Sequence, residues 1–144
     1  MARSQGSTYL IGFPLLLIPF AIYNIIAFLF RTGFTDVLFS VRLLSGASFD
    51  ATMHDVLITL SILLLFVEIM KSTRVGIRSV VDHILSLLLF IVMIGEFMAV
   101  QQAATSTFFT LAMLCFVDVM SGYTVGIRSA QRDINVDHSQ GVIS

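Results

Sequence analysis

The sequence predicts an all-α integral membrane protein, a four-helix bundle of transmembrane spans with a parallel internal repeat carried by spans two and four. Three observations predict it. The 144 residues are 57% hydrophobic and only 12% charged, with a mean hydropathy of +0.96. The apolar residues gather into four runs, each close to the roughly 20 residues that a bilayer crossing requires. A fourteen-residue motif closing the second run also returns fifty residues later at the end of the fourth.

A soluble domain averages about 25% charged residues, so half the usual polar surface is missing. A globular chain this short could not bury so much apolar surface in a core of its own, and lipid is the solvent that remains. The formal net charge of −1 argues against nucleic acid, whose phosphates need a basic face. The single cysteine, Cys115, lies inside an apolar run and excludes an intramolecular disulfide or a cysteine-based zinc site.

The first span is expected over residues 9–30. Its uncharged run after Arg3 is longer than the core of a signal peptide, and no small-residue cleavage pattern follows directly, so a retained helix is expected. Pro14 and Pro19 should kink or loosen its first half. The second span is expected over 51–70 with Asp50 as its N-cap, the third over 80–100, and the fourth over 106–127. The segment 31–50 mixes Phe34, Val37, Leu38, Phe39, Leu43 and Leu44 with Asp36 and Arg42, which suits a stretch lying on the bilayer surface or capping the bundle. The short connection around Gln101 to Thr105 makes spans three and four antiparallel neighbours.

Orientation follows from the lysines and arginines flanking the spans. Arg3, Lys71, Arg74, Arg78, Arg128 and Arg132 fall on one side, Arg31 and Arg42 on the other. Six against two places both termini in the cytoplasm, with 31–50 external and 128–144 a cytoplasmic tail.

The repeat reads Phe66-Val-Glu-Ile-Met-Lys-Ser-Thr-Arg-Val-Gly-Ile-Arg-Ser79, then Phe116-Val-Asp-Val-Met-Ser-Gly-Tyr-Thr-Val-Gly-Ile-Arg-Ser129. Eight of fourteen positions are identical and two more exchange like for like. Both copies end spans on the same side, so the topology is parallel. The inverted repeats that point to alternating-access transport are absent. In each copy Val-Gly-Ile suits a helix C-terminus with Gly76 or Gly126 in the left-handed conformation. Ser79-Val-Val-Asp82 resembles a capping box that starts span three, and the second copy opens a polar tail instead.

Ionisable residues within spans are costly and usually face protein or water. Glu68 and Asp118 occupy matching repeat positions, and Lys71, Arg74, Arg78 and Arg128 are the charge partners expected for them. The alternative is a proton or cation site. Glu96 has no cation nearby in sequence, and Asn24 falls at a similar depth with His54 opening span two on that side. A neutral Glu96 hydrogen-bonded to Asn24 or to a backbone carbonyl competes there with a relay or ligand site built from Glu96, Asn24 and His54. Three Asp/His neighbours, at 54–55, 82–83 and 137–138, lack the i, i+4 spacing of a helical metal pair, so no metal and no cofactor is expected. Gly95, Ala99 and Ala103 recur every four residues, a stripe that lets another helix backbone approach closely.

The opening Gly12-Phe-Pro-Leu-Leu-Leu-Ile-Pro-Phe-Ala-Ile-Tyr-Asn24, together with the Val-Gly-Ile-Arg-Ser repeats, resembles small four-span inner-membrane proteins of alphaproteobacteria. That resemblance implies a bacterial inner membrane and supplies no active residues. A looser similarity to phosphate-starvation PsiE-type proteins rests on four spans with an acid in the second, and the spacing from that acid to the next arginine differs. The expected role is an accessory or assembly subunit packing into a larger membrane complex or homo-oligomer, with lipid and other membrane subunits or itself as partners. The alternative is a small oligomeric channel or proton- or cation-coupled carrier. No enzyme motif is present, since no nucleophile and base share one leaflet.

Overall fold

The computed structural model describes residues 12–30, 33–73 and 77–140, with side chains left undescribed at 77–79, 129 and 132–140. Four helices dominate it: α1 (Leu17–Ile25), α2 (Met53–Ser72), α3 (Ile77–Ala99) and α4 (Ser106–Gln140). Between α1 and α2 stands a β-hairpin of strands β1 (Val37–Arg42) and β2 (Ser48–Thr52). Three of the helices carry apolar stretches long enough to cross a membrane: Met53–Ser72, Val80–Ala99 and Ser106–Arg128.

The first expected span is shorter than its sequence suggests. Residues 9–11 lie outside the described residues, and 12–16 are not helical. The helix starts only at Leu17, and with a π-helical turn over Ile26–Phe30 its apolar stretch is Leu17–Phe30. The prolines account for the late start. Pro14 is reached in a tight turn, with Leu17 N–H bonded to its carbonyl at 3.0 Å and Ile18 N–H to that of Leu15 at 3.1 Å. Pro19 is then the third helical residue, a position whose N–H has no intrahelical acceptor anyway. The chain nonetheless runs from the Glu68 end of the bundle, which Leu15 touches, to the opposite end, where Tyr23 reaches Thr105.

Most of the described part of segment 31–50 forms a β-hairpin, an element the hydropathy pattern alone did not assign. Arg42 pairs with Ser48, Leu43 N–H bonds to Ala47 O at 2.8 Å, and Gly46 closes the three-residue tip at φ +86°. Such loops place glycine in the left-handed position. β2 runs directly into α2, so Asp50 is a strand residue and the N-cap is Thr52. Its hydroxyl accepts the Asp55 N–H while the Asp55 carboxylate accepts the Thr52 N–H at 2.9 Å, a reciprocal capping box. The N–H groups of Met53 and His54 bond to the carbonyls of Asp36 and Phe34. The start of α2 is therefore bolted to the hairpin's base.

Two further boundaries differ from expectation. α3 is already helical at Ile77, so Ser79 does not start it and Ser79-Val-Val-Asp82 is not its capping box. α4 passes through Gly126, which has no positive φ, and continues to Gln140. The second copy of Val-Gly-Ile thus lies inside a helix. At 1.5 Å per residue the 35 residues of α4 extend about 50 Å, beyond the roughly 30 Å hydrocarbon core. Gly76 lies outside the described residues.

α4 is the central helix. It packs against both α2 and α3, which meet each other only sparsely, and α1 lies against α2 and α4. The core is Leu16, Tyr23, Leu57, Leu65, Leu89, Met93, Ala103, Phe108, Leu111, Ala112 and Cys115. At Gly122 of α4 the His83 ring of α3 occupies the space that a Cβ would need.

Candidate functional site

The polar side chains within the bundle form two layers. The layer distant from the hairpin is built from the end of α2, the start of α3 and the middle of α4. Glu68 is the hub. Its Oε2 accepts the backbone N–H of Leu15 at 3.0 Å, and its Oε1 lies 3.2 Å from Lys71 Nζ. Lys71 also donates to the Phe13 carbonyl at 3.1 Å. One acid–base pair on α2 therefore grips the backbone on both sides of Pro14, and it supplies the acceptor for the Leu15 N–H in the non-helical turn that precedes α1.

Asp118 is equally buried and lies within electrostatic reach of Glu68, Lys71 and Asp82. Its carboxylate takes a hydrogen bond from the buried Ser86 of α3, whose carbonyl faces the Cys115 thiol at 3.7 Å. Asp82 Oδ1 is buried without a hydrogen-bond partner, and Gly12 passes close above it. The two repeat acids thus come within electrostatic reach of each other, and Lys71, ion-paired with Glu68, acts on Asp118 as well. Glu68–Lys71 is the one ion pair among the described residues. Arg128 is exposed on α4, and the side chains of Arg74 and Arg78 lie outside the described residues.

The second layer lies at the hairpin end. Asn24 Nδ2 donates to Glu96 Oε2 at 3.4 Å, as their matching depth suggested, and Asn24 Oδ1 is buried without a partner. Tyr23, fully buried, bonds through its hydroxyl to Gln102 O at 2.8 Å and Thr105 Oγ1 at 2.6 Å. Its ring stacks on Phe34 with centroids 4.5 Å apart and meets Phe108 edge-on. His54 goes elsewhere: its Nδ1 lies 2.9 Å from Thr107 Oγ1 on α4. The three-residue constellation of Glu96, Asn24 and His54 therefore reduces to the pair Glu96–Asn24.

Buried apolar residues separate the layers. Ten residues of α3 from Ser86 to Glu96 rise about 15 Å, and Leu89, Met93, Leu111 and Ala112 fill that depth. Among the described residues no group of three acids, histidines or cysteines is arranged to hold a metal. Gly95, Ala99 and Ala103 do not form one stripe, because α3 ends at Ala99. Ala103 sits in the 3-10 turn Gln101–Ala103 and is buried, while Gly95 and Ala99 face outward. Among the described residues nothing lies within 4 Å of where a Gly95 Cβ would be.

Sequence reasoning passed over Tyr23 and Ser86, and read Asp82 only as the acid of a capping box and as one of the Asp/His neighbours. Tyr23 and Ser86 are single polar residues inside apolar runs, and only their partners across the bundle reveal what they do. No known protein family, curated protein or solved structure matches this chain.

Proposed function

We propose that the protein is an accessory or assembly subunit that packs into a larger complex or homo-oligomer of a bacterial inner membrane, both termini in the cytoplasm. The observation that carries this reading is the outward face of α3 around Gly95. A glycine within a helix costs about 1 kcal/mol relative to alanine. At Gly95 its small size serves no contact with the described residues of its own chain. Close approach of a helix from another subunit is what a small residue in a membrane helix permits, and Ala99 continues the same face one turn on. The polar groups in the spans fit the same reading, since Glu68, Lys71, Asn24 and Tyr23 fasten parts of this chain to one another. No catalysis belongs to this proposal.

The test is the size of the assembly extracted from its native membrane in a mild detergent. Wild type should migrate well above its 15.9 kDa chain mass, and Gly95→Leu should return it to a single chain with helicity unchanged. A wild type that is itself a single chain would overturn the reading.

A second reading is a small proton- or cation-coupled carrier or channel. It is favoured by Glu68 and Lys71 lying within electrostatic reach of Asp118, with the unpartnered Asp82 Oδ1 beside them. The apolar block between the two layers weighs against it. Flux into vesicles under an imposed pH or cation gradient, above empty vesicles and lost in Asp118→Asn, would replace the accessory reading.

A further inference from the structure

The hairpin is amphipathic in a way its register makes explicit. Directly opposed residues of an antiparallel pair share a face, so Phe39 with Ala51 and Val41 with Phe49 form one side of the ribbon. Ser40 with Asp50 and Arg42 with Ser48 form the other. The polar side is closed by the Ser40 hydroxyl donating to Asp50 Oδ1 at 2.6 Å. Ala51 is buried, but Phe39, Val41 and Phe49 on the same side each stay about half exposed among the described residues, followed by a half-exposed Leu43 and a fully exposed Leu44 at the tip.

What covers that side is indicated by its continuity with α2. Phe39 and Phe49 join Val56, Leu60 and Leu63 along one groove of about 350 Å³. Val56 and Leu63 point away from the bundle on a helix long and apolar enough to cross a membrane. The apolar surface along α2 therefore continues onto the apolar side of the hairpin, with Asp55 and Thr59 the polar residues in the same groove. The ribbon's depth is limited by its backbone. A two-stranded sheet has two open edges, and their unpaired N–H and C=O groups cannot enter hydrocarbon. An isolated two-stranded hairpin is also marginal in water. The boundary between headgroups and acyl chains meets both conditions, with Arg42 and Asp50 in the polar zone.

We infer that the hairpin is an interfacial membrane anchor, lying along the bilayer surface with Phe39, Val41, Phe49 and the leucine tip immersed among the acyl chains. Its partner is the lipid surface itself, acting at the start of α2 and independently of any partner subunit at Gly95.

The chain contains no tryptophan, so one introduced tryptophan reports alone. Phe49→Trp and Ser40→Trp, on opposite sides of the ribbon, are purified and reconstituted into phosphatidylcholine vesicles with plain or brominated acyl chains. Circular dichroism checks that each retains its helices, and Val41→Trp replaces Phe49→Trp if that variant misfolds. Phe49→Trp should emit to the blue of Ser40→Trp and lose most of its emission in brominated lipid. Ser40→Trp should keep its emission there and lose it to a water-soluble quencher. Equal access of both variants to the water-soluble quencher would overturn the inference by standing the hairpin off in water. A blue-shifted Phe49→Trp indifferent to bromine would also overturn it, assigning the apolar side to a second copy of the chain.

Discussion

Glu68 and Leu15, 53 residues apart in the chain, are joined by a 3.0 Å hydrogen bond from the Leu15 N–H to the Glu68 carboxylate. The bond attaches the irregular lead-in of α1 to the last turns of α2, and Lys71 completes the attachment from the same helix face. An acid inside a span need not titrate in a reaction to be required. Here its acceptor oxygens hold backbone that two prolines keep out of a helix.

Removing that acceptor should be expensive. Glu68→Ala leaves the Leu15 N–H without its acceptor and Lys71 without its counter-charge. The expected loss is about 3 kcal/mol, the scale for breaking one side of a buried pair, read as a fall in unfolding midpoint in detergent. Glu68→Gln keeps an acceptor and should lose clearly less. Equal losses would deny the hydrogen bond its role.

Gly122 and Gly126 stand four residues apart on α4 yet should respond oppositely to alanine. At Gly122 the added methyl meets the His83 ring, and overpacking of this kind costs about 1–3 kcal/mol. At Gly126 no described residue comes within 4 Å of the added methyl, so alanine should be neutral or stabilise by up to about 1 kcal/mol through helix propensity. Parallel melts of the two variants check the contrast.

The capping box predicts that Thr52→Ala destabilises α2 by about 1 kcal/mol, whereas Asp50→Ala leaves its start intact. Amide hydrogen exchange over the first turn of α2 separates the two. Faster exchange in the Asp50 variant alone would return the cap to the position that sequence reasoning favoured.

Glu96→Gln keeps both the volume of the side chain and an oxygen to accept from Asn24. It should leave folding and assembly size nearly unchanged. Tyr23→Phe, by contrast, strips a fully buried hydroxyl from Gln102 O and Thr105 and should cost about 1 kcal/mol. Thermal unfolding of both variants in one detergent decides the order.

Reporter fusions test the orientation. A reporter active only outside the cytoplasm should be silent when fused after Ser144 and active when inserted at the hairpin tip beside Gly46. The reverse pattern would invert the arrangement derived from the six and two flanking cations.

The long apolar runs were legible because hydropathy accumulates over twenty residues. The expected spans at 51–70 and 80–100 lie within three residues of the observed Met53–Ser72 and Ile77–Ala99. The start of α4 coincides with the expected 106, but its end does not, because a helix can outlast the apolar stretch that places it in the membrane. The hairpin escaped notice although Phe39-Ser40-Val41-Arg42 alternates cleanly. Four residues of alternation, followed by two leucines, give too short a signal beside longer helical patterns. Asn24 and Glu96 could be matched by depth alone, since helix rise is regular. The meeting of Asp118 with Ser86, and of Glu68 with Leu15, depends on how helices rotate about their axes. Such rotations follow from packing across the whole bundle and leave no local trace in the chain.

The late start of α1 bears on how the chain enters a membrane during synthesis. Its described apolar helical stretch, Leu17–Phe30, falls short of a full crossing, and the acceptor for the Leu15 amide just ahead of it arrives only with Glu68. A nascent chain that has released α1 but not yet α2 therefore holds a segment poorly suited to lipid on its own. The first two helices should leave the insertion machinery as a pair, with α1 retained beside the exit until α2 has been made. Truncated chains ending before Glu68 should accordingly stay within crosslinking distance of that machinery, while chains extended past Lys71 should move off into the bilayer.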